Sequence, residues 1–565
     1  MKKKNIRQIG FLLFAGILAV LVSSEYFFRI DLTAEKRYSL SSETKQILRR
    51  QKDPLHVNIY LSGDMPAGFR KLRKAICEML DDFKTYSGSR ISYRLIDPSD
   101  AESAKEREQR YAELHDAGLR PVEIKKKNKD GSLSQQIIFP GAILSRKDRQ
   151  LAVNLLRNDF GLSPEDKLNS SMEALEYELI KTIHNLSNDS IEKVAFLEGH
   201  GELSEAETFD LTMELSNYYQ VDRGAINNNP DILTPYRAVI IAKPRTAFTE
   251  KEKFVIDRYI MRGGKVMWLI DAVEVNTDSL QSSGFTPVLA AGLNLEDQLF
   301  TYGARINPVV VQDELSAQIP VTTGNSQPAL APWLYYPLMY PSPDHPATRR
   351  LNIVWLRYTG NIDTVGMNPN VRKTILLRSS DVSRAKSVPF MISLDEVSRM
   401  PERRQFDKPR QTTAVLLEGK FLSVFRSRNA RSLFPELREE QTEVSADTKM
   451  VVVADGDIAR NDVRNTPQGF VPSNPLGYDR YSRQTFGNKE FLVNVLNYLT
   501  DDVGLMKLRN RDFRLRLLDA RKVADRQTAL KIINLALPMA IVILGGLAYT
   551  FRRKRRYGRI SDTKR

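Results

Sequence analysis

Residues 532–551 of the sequence, IINLALPMAIVILGGLAYTF, are followed directly by the basic residues RRKRRYGR. The stretch has no formally charged side chain, and a helix rising about 1.5 Å per residue would carry it across the roughly 30 Å of a bilayer's hydrocarbon core. Pro538 and the Gly545-Gly546 pair are tolerated in membrane helices more readily than in soluble ones. We therefore predict a transmembrane helix at 532–551 and a basic cytoplasmic tail at 552–565, rather than a buried helix of a soluble core.

The N-terminal residues 1–28 contain a second apolar run. Basic residues at positions 2–7 precede an uninterrupted apolar or glycine stretch at 9–22, and the aromatic cluster Tyr26-Phe27-Phe28 follows. A basic start, an apolar run and small residues also describe a cleavable secretory signal. We favour an uncleaved anchor because the aromatic cluster suits a membrane interface. With two spans both termini are cytoplasmic, and the long middle of the chain is exported.

The formal net charge of +15 suggests a nucleic-acid partner at first sight. Most of the excess lies in two terminal segments, at 1–7 and 552–565. Basic residues that flank membrane spans bind anionic lipid headgroups, so the lipid bilayer accounts for the charge and no nucleic acid is predicted. The single cysteine, Cys77, excludes an intramolecular disulfide.

Residues 29–188 form the first predicted exported domain. Alternating apolar residues predict strands at 55–61 and 91–96, and apolar residues at helical spacing predict a helix at 72–83 between them. This βαβ unit is arranged like half of a thioredoxin-like domain. Met65-Pro66-Ala67-Gly68 stands where that fold carries Cys-x-x-Cys, so disulfide chemistry is excluded.

Residues 189–505 form the second predicted domain. Strands are predicted at 194–197, 238–242, 265–270 and 450–454, with helices between them. Repeated strand and helix predict a parallel, doubly wound α/β sheet, whose ligands would sit past the carboxyl ends of the strands. The pattern loosens over a large mixed insertion at about 304–447, in which residues 319–346 are rich in proline and aromatic residues.

Residues 506–531 connect this domain to the C-terminal span. Phe513, Leu515 and Leu517 alternate with arginines, which predicts a short strand, and a polar juxtamembrane helix follows from about residue 520. A strand this short cannot bury its apolar face alone, so we expect it to dock on a domain or a partner.

Three pairs of residues have the spacing of a helix-capping box. They are Ser170 with Glu173, Ser204 with Glu207, and Thr249 with Glu252. Each pair predicts a helix start, and the first predicts a helix that runs to about residue 186.

Motifs for nucleotide hydrolysis and for serine hydrolases are not found. The nearest match to a P-loop, at Gly264-Lys265, has Tyr259 and Val266 where the motif requires a glycine and a hydroxyl residue. No G-x-S-x-G motif occurs, and the five histidines lack the spacing of a helical metal-ligand pair. We predict that the chain is not itself an ATPase by this route, and we predict no catalytic residue, metal site or cofactor.

Two short segments are candidate ligand-binding sites, and the first consists of Glu198, Gly199, His200, Gly201 and Glu202. It follows a strand and precedes a helix, where backbone N–H groups can receive an anion. The match to a dinucleotide fingerprint is only partial, because a serine replaces the third glycine. His200 has the chemistry of a general base, but its turn offers only Ser204 as a nucleophile. The alternative is structural, with the glycines permitting a tight turn before a capped helix.

The second candidate is Asp455 with Asp457, directly after the strand predicted at 450–454. Paired carboxylates at a strand end can hold a divalent cation. The alternative is ordinary turn chemistry, because aspartate beside a glycine such as Gly456 is common in turns.

Four stretches together resemble the GldG family of gliding-motility-associated ABC transporter auxiliary components in Bacteroidetes-type bacteria. They are FRIDLTAEKRYSLS at 28–41, FLEGHGE at 196–202, VADGD at 453–457 and RLRLLD at 514–519. The resemblance covers nearly the whole chain. It implies a bacterial inner-membrane protein with a periplasmic body, a separate multi-span permease and a separate cytoplasmic ATPase. It also implies a middle domain of intraflagellar-transport type with a glutamine-amidotransferase-like sheet, and it assigns no catalytic residue.

These observations lead to three functional hypotheses. The leading one is a non-catalytic coupling subunit that transmits movement of the permease to an envelope partner or cargo. The second is a membrane-tethered solute-binding protein of an ABC transporter that uses the turn at 198–202. The third, a periplasmic hydrolase, requires a nucleophile or a metal site.

Overall fold

The computed structural model describes residues 39–127, 133–156, 163–187, 191–227, 229–322, 328–366, 368–399, 401–428, 434–435, 442–467, 469–510 and 527–557. The chain divides into two units, of which Tyr38–Arg511 is the body of the protein. The predicted N-terminal span at 1–28 and the predicted strand at 513–517 lie outside the described residues. The body is a mixed α/β structure with several sheets.

The N-terminal part of the body contains a four-stranded sheet. Strand β1 (Leu55–Ile59) pairs in parallel with β2 (Ile91–Leu95), and helix α2 (Ala67–Tyr86) connects them. The predicted strand–helix–strand unit is therefore present. The hairpin of β5 (Gly141–Arg146) and β6 (Arg149–Asn154) adds antiparallel strands, giving the order β2-β1-β5-β6. The other elements of this part are α1 (Ser42–Arg50), α3 (Ala104–Asp116), β3 (Val122–Lys127), β4 (Leu133–Ile138) and α4 (Pro164–Ser187).

Helix α4 begins six residues before the predicted start at Ser170. The hydroxyl of Ser163 accepts a hydrogen bond from the backbone N–H of Asp166 at 3.2 Å, which satisfies a free donor of the first turn. Ser170 lies inside the helix, where its hydroxyl donates to the Lys167 carbonyl oxygen at 3.1 Å. The capping spacing at Ser170 is therefore not a helix start, and that prediction is wrong.

A larger mixed sheet forms the rest of the body's framework. Its parallel strands, in spatial order, are β8 (Gln220–Ala225), β7 (Lys193–Glu198), β9 (Ala238–Ala242), β10 (Lys265–Leu269) and β23 (Thr448–Val453). The antiparallel strands β22 (Thr412–Gly419), β19 (Val371–Arg378), β16 (Pro328–Pro341) and β15 (Ser316–Thr322) continue it, and β17 (Val354–Trp355) pairs with β16. The insertion predicted at about 304–447 thus supplies the antiparallel half of this sheet.

Helices and short strands complete the body. The helices are α5 (Phe209–Ser216), α6 (Glu250–Met261), α7 (Thr277–Ser283), α8 (Glu296–Tyr302) and α9 (Asn488–Thr500). The short strands are β11 (Val273–Val275), β12 (Phe285–Ala290), β13 (Ala304–Asn307), β14 (Val309–Asp313), β18 (Asn361–Thr364), β20 (Ser383–Ser387), β21 (Phe390–Ser393), β24 (Val463–Thr466), β25 (Gly469–Pro472), β26 (Tyr478–Asp479) and β27 (Gln484–Thr485).

Apolar cores cover both faces of the parallel half of the large sheet. Ile240 and Met267 belong to one core, whereas their chain neighbours Ile241 and Trp268 belong to the other. Successive side chains of a strand point to opposite faces, so a strand buried on both faces is apolar throughout its length. This explains why the central strands of this half form continuous apolar runs in the sequence.

The terminal unit contains helix α10 (Gln527–Tyr557), which is 31 residues long. Its segment Ile532–Arg555 is long and apolar enough to cross a membrane, and the side chains of its most apolar stretch are not buried in the structure. Val542, for example, is 73% exposed. The C-terminal helix predicted from the sequence is therefore present.

Candidate functional site

Both candidate segments lie at the carboxyl edge of the parallel half-sheet. Strands β7, β9, β10 and β23 run in the same direction, so their last residues reach one edge. The residues that follow them include His200, Lys243, Asp271 and Asp455. Ligands of doubly wound sheets bind at this edge, outside the carboxyl ends of the strands.

The first segment is a tight turn held by backbone contacts. Gly199 and Gly201 have φ angles of 117° and 72°, in the left-handed region that favours glycine. The carbonyl oxygen of His200 accepts hydrogen bonds from the backbone N–H groups of Arg245 at 2.7 Å and Thr246 at 3.0 Å. These bonds attach the turn after β7 to the loop that follows β9.

The His200 side chain is buried between two carboxylates and an aromatic ring. Its Nδ1 lies 3.1 Å from Glu202 Oε1, and its Nε2 lies 3.2 Å from Glu252 Oε2. The imidazole stacks on Phe248 with ring centroids 3.7 Å apart. Both ring nitrogens therefore face an acceptor, which is the arrangement that suits an imidazolium.

Opposing effects set the protonation of His200. Burial by itself would lower the pKa of the imidazole, because it disfavours the charged form. The hydrogen bonds and negative charges of Glu202 and Glu252 outweigh burial and raise the pKa above its ordinary value. Glu252 also forms the predicted capping box with Thr249 at the start of α6, so the histidine is tied to a helix terminus.

Glu198 and Glu207, on either side of this turn, are paired with arginines. Glu198 Oε1 accepts a hydrogen bond from Arg223 Nε at 2.7 Å, and Arg223 also donates to the Leu203 carbonyl oxygen at 2.6 Å. Glu207 lies 3.1 Å from the guanidinium of Arg460. The predicted Ser204–Glu207 pair is hydrogen-bonded, although helix α5 begins only at Phe209.

The second segment belongs to a larger charged cluster. Ligand oxygens of Asp271, Asp455 and Asp457 all lie within 4.8 Å of one another, an arrangement that could hold a metal ion. The Lys243 ammonium lies 3.0 Å from Asp271 Oδ2 and donates a hydrogen bond to Asp457. A positive charge from the chain itself therefore already lies against these carboxylates.

Backbone groups fix the three carboxylates. Asp271 Oδ1 accepts a hydrogen bond from the Gly456 N–H at 2.6 Å. The two oxygens of Asp455 accept from the N–H groups of Arg357 at 2.5 Å and Asp457 at 2.7 Å. Through these hydrogen bonds, the cluster connects the loops after β10 and β23 to each other and to Arg357 of the insertion.

The charges of the cluster differ from one carboxylate to the next. Burial raises the pKa values of Asp455 and Asp271. Burial would also raise the pKa of Asp457, but Lys243, Arg357 and Arg460 outweigh it and lower that pKa to about 2. Burial would lower the pKa of Lys243, whereas the neighbouring carboxylates raise it, so the lysine remains protonated.

Arg460 connects the second candidate segment to Glu207, which lies five residues after the first segment. It contacts Glu207 at 3.1 Å and Asp457 at 3.5 Å, and the backbone N–H of Asn461 donates to the Glu207 carbonyl oxygen at 2.6 Å. The structure therefore connects Asp457 to the loop that follows the turn at 198–202. Sequence reasoning did not single out Lys243 or Asp271 as site residues, although each directly follows a predicted strand.

The arrangement supports positioning more readily than covalent chemistry. In the described part of the chain, no hydrogen bond joins the His200 imidazole to the hydroxyl or thiol of a serine, threonine or cysteine. A triad-type nucleophile would require such a partner. Ligand binding at the turn at 198–202, or at Asp455 and Asp457, stays a prediction.

The comparisons with known proteins place this chain in a transport family. A family model described as "ABC-type uncharacterized transport system" matches residues 192–495, and one described as "Domain of unknown function (DUF7088)" matches residues 34–145. No curated protein matches the chain. A solved structure titled "mmIFT52 N-terminal domain" is 13% identical and covers 55% of this chain and 98% of its own, with a TM-score of 0.31. Because the first model spans more than half of the sequence, the chain belongs to the auxiliary family of ABC-type transport systems.

Proposed function

We propose that this protein is a non-catalytic, membrane-anchored subunit of an ABC transporter complex of the GldG type, associated with gliding motility in Bacteroidetes-type bacteria. The observation that carries the proposal is helix α10 in a chain of a transport family. Its apolar segment Ile532–Arg555 has side chains that the protein does not bury, and a basic block at its end. A bilayer would cover such a surface.

In this proposal the protein spans a bacterial inner membrane twice, at 1–28 and 532–551. Both termini are cytoplasmic, and the thioredoxin-like and glutamine-amidotransferase-like parts of the body are periplasmic. The partners are a separate multi-span permease and a separate cytoplasmic ATPase. Movement of the permease passes through the spans to the body, which engages an envelope protein or cargo. The paired side chains around His200 and Lys243 support a structural role for the carboxyl edge.

Affinity purification from native membranes tests this assignment. The full-length chain, tagged and extracted in mild detergent, is expected to retain a permease and an ATPase identified by mass spectrometry. A variant lacking residues 527–565 provides the matched control, because it keeps the body and removes α10. Recovery of the full-length chain without either transporter component would contradict the proposal.

A tethered solute-binding protein is the second candidate. The observation in its favour is the position of the 198–202 turn at the carboxyl edge, where doubly wound sheets receive ligands. A small molecule that stabilises the full-length protein against heat, and loses this effect in a Gly201→Val variant, would favour binding over coupling. Val fits poorly at Gly201 because the φ angle there is 72°.

A further inference from the structure

Both ends of the body form hydrogen bonds with adjacent residues of helix α4. Near the N-terminal end, the Ser41 N–H and the Thr44 hydroxyl donate to Glu176 Oε1 at 2.8 Å and 2.7 Å. Near the C-terminal end, the Tyr177 hydroxyl donates to the sulfur of Met506 at 2.7 Å. Glu176 and Tyr177 are consecutive in α4, so the two attachments lie at one level of the helix while their side chains project about 100° apart around its axis.

These attachments are buried rather than superficial. Glu176 is 8% exposed and Thr44 is fully buried, so their hydrogen bond is shielded from water. Hydrogen bonds to a carboxylate are stronger than those between neutral groups, and losing the acceptor would leave buried donors unsatisfied. Leu40 and Leu508, which flank the two attachments, belong to the same apolar core as α4.

Helix α4 also contacts both halves of the body. The Leu186 carbonyl oxygen accepts a hydrogen bond from Arg146 of the N-terminal sheet at 2.8 Å. On the other side, Glu173 lies 2.5 Å from the guanidinium of Arg350, which belongs to the insertion of the large domain. Helix α4 therefore contacts the N-terminal sheet, the larger domain and both ends of the body.

We propose that α4 is the junction that holds together the two ends of the body from which the membrane-tethering segments continue. The inference rests on the proposed function, because it takes both terminal segments as membrane tethers. Packed interiors deform little, so a displacement applied to either end of the body is passed to α4 and, through its contacts, to both halves of the body.

Distances between spin labels in the full-length, detergent-solubilised protein test whether the two ends of the body lie close together. One label is placed at Ser42 and the other at Asp502, both exposed, after replacing the native cysteine by Cys77→Ser. A control pair joins Ser42 to Phe470, in a hairpin near the carboxyl edge. Helix α9, about 20 Å long for its 13 residues, lies between that edge and Asp502. We expect the Ser42–Asp502 distance to be the shorter of the two and narrowly distributed. An equal or longer distance would overturn the inference.

Variants of Glu176 test the attachment itself. Glu176→Ala removes the acceptor for both N-terminal donors, so the Ser42–Asp502 distribution is expected to broaden. Glu176→Gln retains an amide oxygen and is expected to restore the narrow distribution. Glu178→Ala, two positions along the same helix, is the matched control. A narrow distribution in Glu176→Ala would overturn the role given to this residue. None of these measurements needs a transporter partner, so their failure is distinguishable from failure of the proposed function.

Discussion

At the scale of single residues, His200 is a candidate ligand-binding residue whose contacts also give it a structural role. Its two nitrogens face Glu202 and Glu252, and its ring covers Phe248. The sequence marked the position, because a histidine between two glycines follows a strand. The sequence could not show the second carboxylate, because Glu252 reaches the imidazole from a helix 50 positions later in the chain.

His200→Gln is expected to destabilise the protein in a pH-dependent manner. Because the folded-state pKa of His200 is raised, the stability it contributes is fully present below its unfolded pKa of about 6.5. The contribution is lost as the pH rises through the higher folded pKa. Denaturant unfolding of the full-length protein in detergent should show a deficit of about 2 kcal/mol at acidic pH that shrinks toward alkaline pH. His56→Gln, at an exposed histidine, is the control, and a pH-independent deficit would refute the assignment.

Lys243 supplies the positive charge that the three neighbouring carboxylates require. Lys243→Met is expected to cost roughly 3 kcal/mol or more, because the ion-paired cluster loses its nearest cation while its acids stay buried. Calcium should then raise the unfolding midpoint of the variant, since three carboxylates can ligate it, and should not do so in the wild type. Lys74→Met, at an exposed lysine, controls for the loss of charge. Equal stabilisation of the wild type by calcium would show that the lysine does not occupy this role.

At the scale of elements, the central parallel strands of the large sheet were predictable, whereas its polar edge strand β8 was not. The apolar runs at 238–242 and 266–269 identify strands buried on both faces, whereas β8, QVDRGA, pairs with one neighbour only and has a polar sequence. The proline-rich region at 319–346 proved to contain the 14-residue strand β16. Over residues 328–337 this strand pairs with β15 alone, so its prolines need not donate to a second ladder.

The start of helix α4 gives a direct test at this scale. Ser163→Ala removes the hydroxyl that accepts from the Asp166 N–H, and should lower the free energy of unfolding by about 1 kcal/mol. Ser170→Ala should cost less than about half of that amount, because its hydroxyl donates to a carbonyl oxygen within the helix. Urea unfolding of both variants distinguishes the real cap from the predicted one. A larger loss for Ser170→Ala would contradict the helix boundaries.

At the scale of the whole molecule, composition and order along the chain indicated an α/β body that ends in a membrane helix. The boundary at residue 188 between two domains stays a prediction, and one apolar core extends from Leu40 to Leu508 across it. Sequence periodicity describes each element separately, so it could not reveal that α4 contacts both ends of the body. Only the tertiary pairing of Ser41, Glu176, Tyr177 and Met506 shows this.

Site-specific labelling tests the central claim, an exported body anchored at the lipid, most directly. Phe470, which is 64% exposed in the body, and Arg555, at the basic end of α10, are each replaced by cysteine in a Cys77→Ser background. In intact spheroplasts, a membrane-impermeant maleimide is expected to modify Phe470→Cys and to modify Arg555→Cys only after lysis. Labelling of Arg555→Cys without lysis, or protection of Phe470→Cys until lysis, would contradict the account.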